Sequence, residues 1–148
     1  METIKITKAD LDKNNEYKKG SIGTYNDPVN THVEIEANLG FIKFKGIYTK
    51  GYIKAKAGTG IKAGWGIKAG WGIEAGEGIE CKLTLSFTYN LFAGTATWTK
   101  TPVKTVKCGK LENGTIVHGD LIETGLTDVE DAVKDIIELN GKKYRLIK

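Results

Sequence analysis

From Gly58 to Lys82 the chain reads GTGIKAGWGIKAGWGIEAGEGIECK, and its apolar positions recur every six residues. Ile61, Ile67, Ile73 and Ile79 are each followed two residues on by a small side chain: Ala63, Ala69, Ala75 and Cys81. The first three hexads then close with Gly, a variable residue and Gly. The same spacing holds for Ile35, Phe41, Ile47 and Ile53 before this stretch, and Leu85 and Leu91 continue it afterwards, so the repeat covers residues 35 to 91. Between Ile53 and Ile61 the spacing is eight, which places a two-residue insertion, a bulge or small loop at a corner, near Lys56 to Gly58.

An even period suits a strand, in which alternate residues share a face, and it is incompatible with a single helical face. Paired glycines in every hexad would each cost a helix interior about 1 kcal/mol. Short strands joined by glycine corners instead predict a mainly β fold, a short β-solenoid in which each hexad forms one side and stacked isoleucines fill the middle. Three sides give a coil of about 18 residues, and about three coils fit between Ile35 and Leu91. That register sets Lys62 beside Glu80, Lys68 beside Ser86, Trp71 beside Tyr89 and, across the insertion, Lys54 beside Glu74. The two opposite-charge pairs would each favour it by about 0.2–1 kcal/mol.

Outside the repeat, Glu2 to Thr7 alternates as a strand, with Thr7 or Asp10 capping a helical turn through Leu11. Tyr17 to Asn30, punctuated by Gly20, Gly23 and Asp27-Pro28, reads as a loop. Leu83 to Tyr89 and Thr95 to Thr99 alternate as strands, and Asn113-Gly114 reads as a hairpin turn. Thr127 and Glu130 form a capping box for a short helix from Asp128 to about Val133. A second hairpin, Asp135 to Leu139 and Lys142 to Ile147, is expected to cover an open edge. The whole is expected to be one domain: an N-terminal strand and loop (1–34), the hexad repeat (35–91) and C-terminal strands, helix and hairpin (92–148).

With 148 residues the chain can build one modest core. Its 19 Gly stand beside only two Pro, which excludes collagen and Pro/Gly-rich disorder. No apolar run is long enough to span a membrane, and Met1 to Lys13 lacks the apolar stretch of a signal peptide, so a cytoplasmic location is expected. Cys81 and Cys108 are expected to be reduced, Cys81 as a small inward-facing residue. Among 22 basic residues only Arg145 is arginine. Sequence-specific reading of nucleic acid, which favours the guanidinium fork, is therefore not expected.

The aliphatic hexads resemble the hexapeptide-repeat, left-handed β-helix family, although there the small residue sits two places before the aliphatic one and here it follows. The GIKAGWGI runs are also similar to uncharacterised proteins of phages and prophages. Many hexapeptide-repeat proteins are acyltransferases with a histidine base in a coil, and some are zinc enzymes with three histidines. His32 and His118, the two histidines present, lie outside the repeat, so neither catalysis nor a metal or cofactor is expected. Asp120, Glu123, Asp128, Glu130 and Asp131 read as the solvated start of the short helix.

What remains is aromatic. Trp65 and Trp71 share by parity the face of the isoleucines, yet Glu77 holds the equivalent place in the next hexad, where an unpaired carboxylate would be costly inside. That points to a surface site made of Trp65, Trp71, Lys62, Lys68 and Glu77, with Lys54 adding positive charge and Trp98, Tyr48, Tyr52 and Tyr89 as further candidates. The expected function is non-enzymatic binding of a protein, with self-association into a homo-oligomer. The phage-like resemblance implies an inhibitor of a bacterial defence complex, such as a CRISPR effector. An acyltransferase-like enzyme and a self-assembling structural solenoid are the alternatives.

Overall fold

A computed structural model describes residues 1–95, 103–126, 136–139 and 142–145. The helix expected from Asp128, with Thr127, Asp128, Glu130 and Asp131, lies outside these residues, as do Trp98 and nearly all of the strand expected at Thr95 to Thr99, whereas Asp120 and Glu123 belong to a strand. The strands are β1 (Glu2–Ile6), β2 (Thr31–Ile35), β3 (Gly40–Phe44), β4 (Ile47–Thr49), β5 (Ile53–Ala55), β6 (Thr59–Ala63), β7 (Ile67–Ala69) and β8 (Ile73–Ala75). They continue with β9 (Ile79–Cys81), β10 (Thr84–Ala93), β11 (Thr105–Cys108), β12 (Lys110–His118), β13 (Asp120–Glu123), β14 (Ile136–Leu139) and β15 (Lys142–Arg145). The fold is mainly β, and every strand pair except β14–β15 is parallel.

Successive hexads enter three different stacks. The first runs β3-β6-β9-β11-β13. In the second, β4 and β7 are followed by the start of β10, through Leu85 to Phe87; in the third, β1, β2, β5 and β8 are followed by its end, through Leu91 to Ala93. Thus β10 passes from one stack to the next, and the sheets curl around a shared interior, an arrangement compatible with a β-solenoid. Ile61 pairs with Ile79, Ile67 with Leu85 and Ile73 with Leu91, each offset by 18 residues. Ile47 pairs with Ile67 and Ile53 with Ile73, each offset by 20, because the turn at Lys56 to Gly58 carries the two inserted residues. Each of these isoleucines is at most 2% exposed. The alanines and Cys81 that follow them are buried too, since within a short strand every second residue faces inward.

The outward positions between them carry charge in register. Lys5, Glu34, Lys54 and Glu74 form one alternating row across the third stack, in which Lys54 Nζ lies 3.9 Å from Glu74. Lys62 lies 4.0 Å from Glu80 on the first.

Three expectations need correction. Phe41 is not in the isoleucine column: Ile42 pairs with Ile61, and Phe41 faces Gly60, so Ile42 and Phe44 are the buried side chains of β3. Val33, not Ile35, stands above Ile53; Ile35 aligns with Ala55 and is buried at the second inward position. Asn113-Gly114 makes no hairpin. It lies within β12, which runs parallel to β10, and Asn113 Nδ2 donates to Phe87 O at 3.0 Å. Gly114 takes a positive φ (113°) against the Phe87 ring, where a Cβ would clash. The pattern therefore continues past Leu91 into β11, β12 and β13.

It also begins earlier. The segment expected as a loop makes parallel bridges from Glu16 to Lys43, Ile22 to Ile47 and Val29 to Thr49, and buries Tyr17 and Ile22. A single 3-10 turn, Lys8–Asp10, follows β1, where the Thr7 backbone N–H donates to the Asp10 carboxylate at 2.9 Å. Near the C-terminus β14 and β15 form the expected antiparallel hairpin, with Leu139 opposite Lys142.

Candidate functional site

Both repeat tryptophans sit at corners, between two glycines. The Trp65 N–H donates to Lys45 O at 2.7 Å and its carbonyl accepts from the Leu83 N–H at 2.8 Å. One hexad on, the Trp71 N–H donates to Gly51 O at 3.2 Å while its carbonyl accepts from the N–H groups of Thr88 and Tyr89. The glycine that follows each tryptophan is required by close approach: a Cβ on Gly66 would lie 2.9 Å from Thr84 O, and one on Gly72 2.6 Å from Asn90 O. The main chain is thus fixed to the rungs on either side while each indole projects, leaving Trp65 47% and Trp71 46% exposed. Strand parity had assigned these rings to the inner face, but alternation does not carry through a corner.

Lys68, on β7 between the two corners, points outward, and its Nζ lies 5.2 Å from the centre of the Tyr25 ring, a cation–π contact. Tyr25 meets Tyr48 edge-on at 6.2 Å, and the Tyr48 hydroxyl accepts from the Gly66 N–H at 3.1 Å. Burial raises the Tyr48 pKa. Beside the second corner, Trp71 packs edge-on against His32 at 4.6 Å, and His32 stacks on Tyr52 at 4.0 Å. Tyr52 donates its hydroxyl proton to Glu34 at 2.9 Å, a bond that raises its pKa. Tyr52, Tyr89, Phe92, Lys54 and Glu74 line a groove of about 410 Å³ on this side.

The five expected site residues therefore separate. Trp65, Lys68 and Trp71 share the second stack and its two corners. Lys62 lies on the first stack, held by Glu80 and placed 5.2 Å over the Phe41 ring. Glu77 occupies the third corner, where its carboxylate accepts from the Val103 N–H at 2.7 Å, so it secures the chain entering β11 and is remote in role from the tryptophans. Tyr25 and His32, which complete the aromatic surface, lie in non-repeating sequence and carry no hexad signal.

The remaining reactive groups are engaged in structure. His32 is 9% exposed, and its Nδ1 accepts from the Tyr52 N–H at 3.1 Å. His118 Nδ1 lies 2.6 Å from Ala93 O, to which it donates. Cys81 and Cys108 are free and buried; burial pushes the Cys108 thiol up to about 11 and the Cys81 thiol well above the ordinary range. Asp120 pairs with Lys104 at 4.0 Å, and Glu123 accepts from the Leu111 N–H, both on β13. Among the described residues no three His, Cys, Asp or Glu side chains are grouped to hold a metal, and no helix is long and apolar enough to cross a membrane. No known protein family matches the chain, and neither a curated protein nor a solved structure does.

Proposed function

We propose that this chain is a non-enzymatic binding protein built on a short hexapeptide-repeat-type β-solenoid of about three hexad coils, closed at one end by the β14–β15 hairpin. The observation that carries this reading is the pair of half-exposed indoles, Trp65 and Trp71, held on hydrogen-bonded corners on either side of Lys68. Tryptophan dominates the energetic centres of protein interfaces because it brings a large area with few rotatable bonds. Backbone fixed on both sides leaves little further ordering to be done on binding. The two histidines that an acyltransferase reading would need are tied to backbone groups through Nδ1, and the His32 ring is packed between Trp71 and Tyr52.

The partner is a protein, met in the cytoplasm of a bacterial host, and the GIKAGWGI resemblance to phage and prophage proteins directs the search to defence complexes, a CRISPR effector first. Self-association belongs to the same reading. The test measures target cleavage by a purified effector in the presence of this chain, and capture of effector subunits on the tagged chain. Inhibition and capture are expected from the parent and lost in Trp71→Ala and Trp65→Ala, both of which should keep the parent circular dichroism. Retention of partner by both variants would refute the surface assigned to them.

A further inference from the structure

The flat stacks and the first corner treat lysine differently. On the stacks, Lys5, Lys54 and Lys62 alternate or pair with Glu34, Glu74 and Glu80. At the corner between the first and second stacks, the main chain forms a continuous column. Lys45 N–H donates to Gly20 O, Trp65 N–H to Lys45 O, Leu83 N–H to Trp65 O and Gly109 N–H to Leu83 O, at 2.7–2.8 Å. Lys18 and Lys19, Lys45, Lys82 and Lys110 lie in or beside four of its five rungs, Trp65 holding the rung between Lys45 and Lys82; Lys43 on β3 joins them, and all six are exposed. None of the six is paired with a carboxylate among the described residues.

Four of them, Lys18, Lys19, Lys43 and Lys45, line a groove of about 500 Å³ that has Tyr17 and Phe44 among its lining residues and Trp65 at its border. Asp12 and Glu16 also line it, but Asp12 Oδ1 is occupied by the N–H groups of Asn14 and Glu16. Like charges at the ~4.8 Å spacing of adjacent rungs repel, and elsewhere the fold interleaves glutamate to relieve this. Here it does not.

We propose that this corner binds single-stranded nucleic acid through its backbone. Four of the five rungs carry lysine along ~19 Å of this edge, with Trp65 on the middle one, which suits a linear polyanion better than a single anion. The exposed Trp65 face in their midst offers a base a stacking surface that takes any base. Lysine as a compact charge neutralises phosphate without the bidentate geometry that reads bases, so binding is independent of sequence. An acidic protein segment is the competing occupant, and polyglutamate stands for it in the test. The proposal goes beyond the protein-partner reading and is tested on the purified chain alone.

Fluorescence anisotropy with a labelled oligothymidylate of about 16 nucleotides measures it directly. Six phosphate contacts at about −0.7 each give a salt slope near −4, or a roughly 300-fold loss of affinity between about 50 and 200 mM salt. The variant Lys45→Gln/Lys82→Gln/Lys110→Gln should lower that slope by about 2. Trp65→Ala should weaken binding by about tenfold or more and abolish the quenching of indole emission that stacking produces. Lys5→Gln, on the third stack, should bind as the parent does. No binding at about 50 mM salt, equal binding by the triple variant, or preference for polyglutamate over oligothymidylate would each overturn the proposal.

Discussion

Gly64, Gly70 and Gly76 hold the same place in three consecutive hexads, yet their replacement by alanine should have opposite effects. At Gly64 an added Cβ would have Lys45 O and Phe44 O at 3.8 Å, ordinary contact. At Gly70 it would run into the main chain of Lys50, whose carbonyl carbon would be 2.6 Å away, and at Gly76 it would lie 2.6 Å from Ala57 Cα and Lys56 O. None of the three has a positive φ, so sterics alone decides. Gly64→Ala should stabilise by about 0.4–1 kcal/mol through the lost freedom of the unfolded chain. Gly70→Ala forces backbone apart in a packed stack, which costs about 1–3 kcal/mol. The gap is about 1.5–4 kcal/mol, and at about 2–4 °C per kcal/mol for a chain near this size it separates the two melting temperatures by roughly 3–16 °C. Thermal unfolding followed by circular dichroism reads this, with Gly76→Ala expected to fall beside Gly70→Ala. Equal shifts for Gly64→Ala and Gly70→Ala would refute the stacking of Lys50 on Gly70 and with it the offset of 20 between these rungs.

Other outcomes follow from the same packing. Cys81 and Cys108 should resist a thiol reagent in the folded protein and react on unfolding; because the folded pKa of Cys108 is raised, its contribution to stability is present below pH about 9 and is lost as pH rises through about 11, which urea titrations across that window check. Lys54→Glu sets three carboxylates in a row with Glu34 and Glu74 and should cost up to about 1 kcal/mol, an effect small because the pair is half-exposed and one that Lys54→Glu/Glu74→Lys should reverse only in part in denaturant unfolding, since the new carboxylate still faces Glu34. Gly114→Asn would suit a hairpin turn but meets the Phe87 ring in a parallel strand, so a lowered melting temperature is expected and an unchanged one would restore the hairpin.

Where a hexad was regular, the sequence alone determined its partner. The neighbours of Lys54, Lys62 and Lys68, the insertion before Thr59 and the strands on either side of Asn140-Gly141 all follow from spacing, charge and turn chemistry, which act between residues close in sequence or one coil apart. Tertiary structure decided the rest. GFIKF in β3 has apolar residues of both parities, and only stacking on β6 buries Ile42 and Phe44 in preference to Phe41. Asn-Gly carries the same local signal in a hairpin as in a bulged strand, and the packing of Gly114 on Phe87, 27 residues away in sequence, settles which it is. Tyr17 and Ile22 become rung residues because an end of the array would otherwise leave apolar surface in water. The tryptophans face outward because the chain turns there, and the alternation that fixes sides within a strand stops at each corner. Charge along the first corner is likewise invisible in sequence, since Lys19, Lys45, Lys82 and Lys110 share no period and are gathered only when four coils of unequal length are laid on one another.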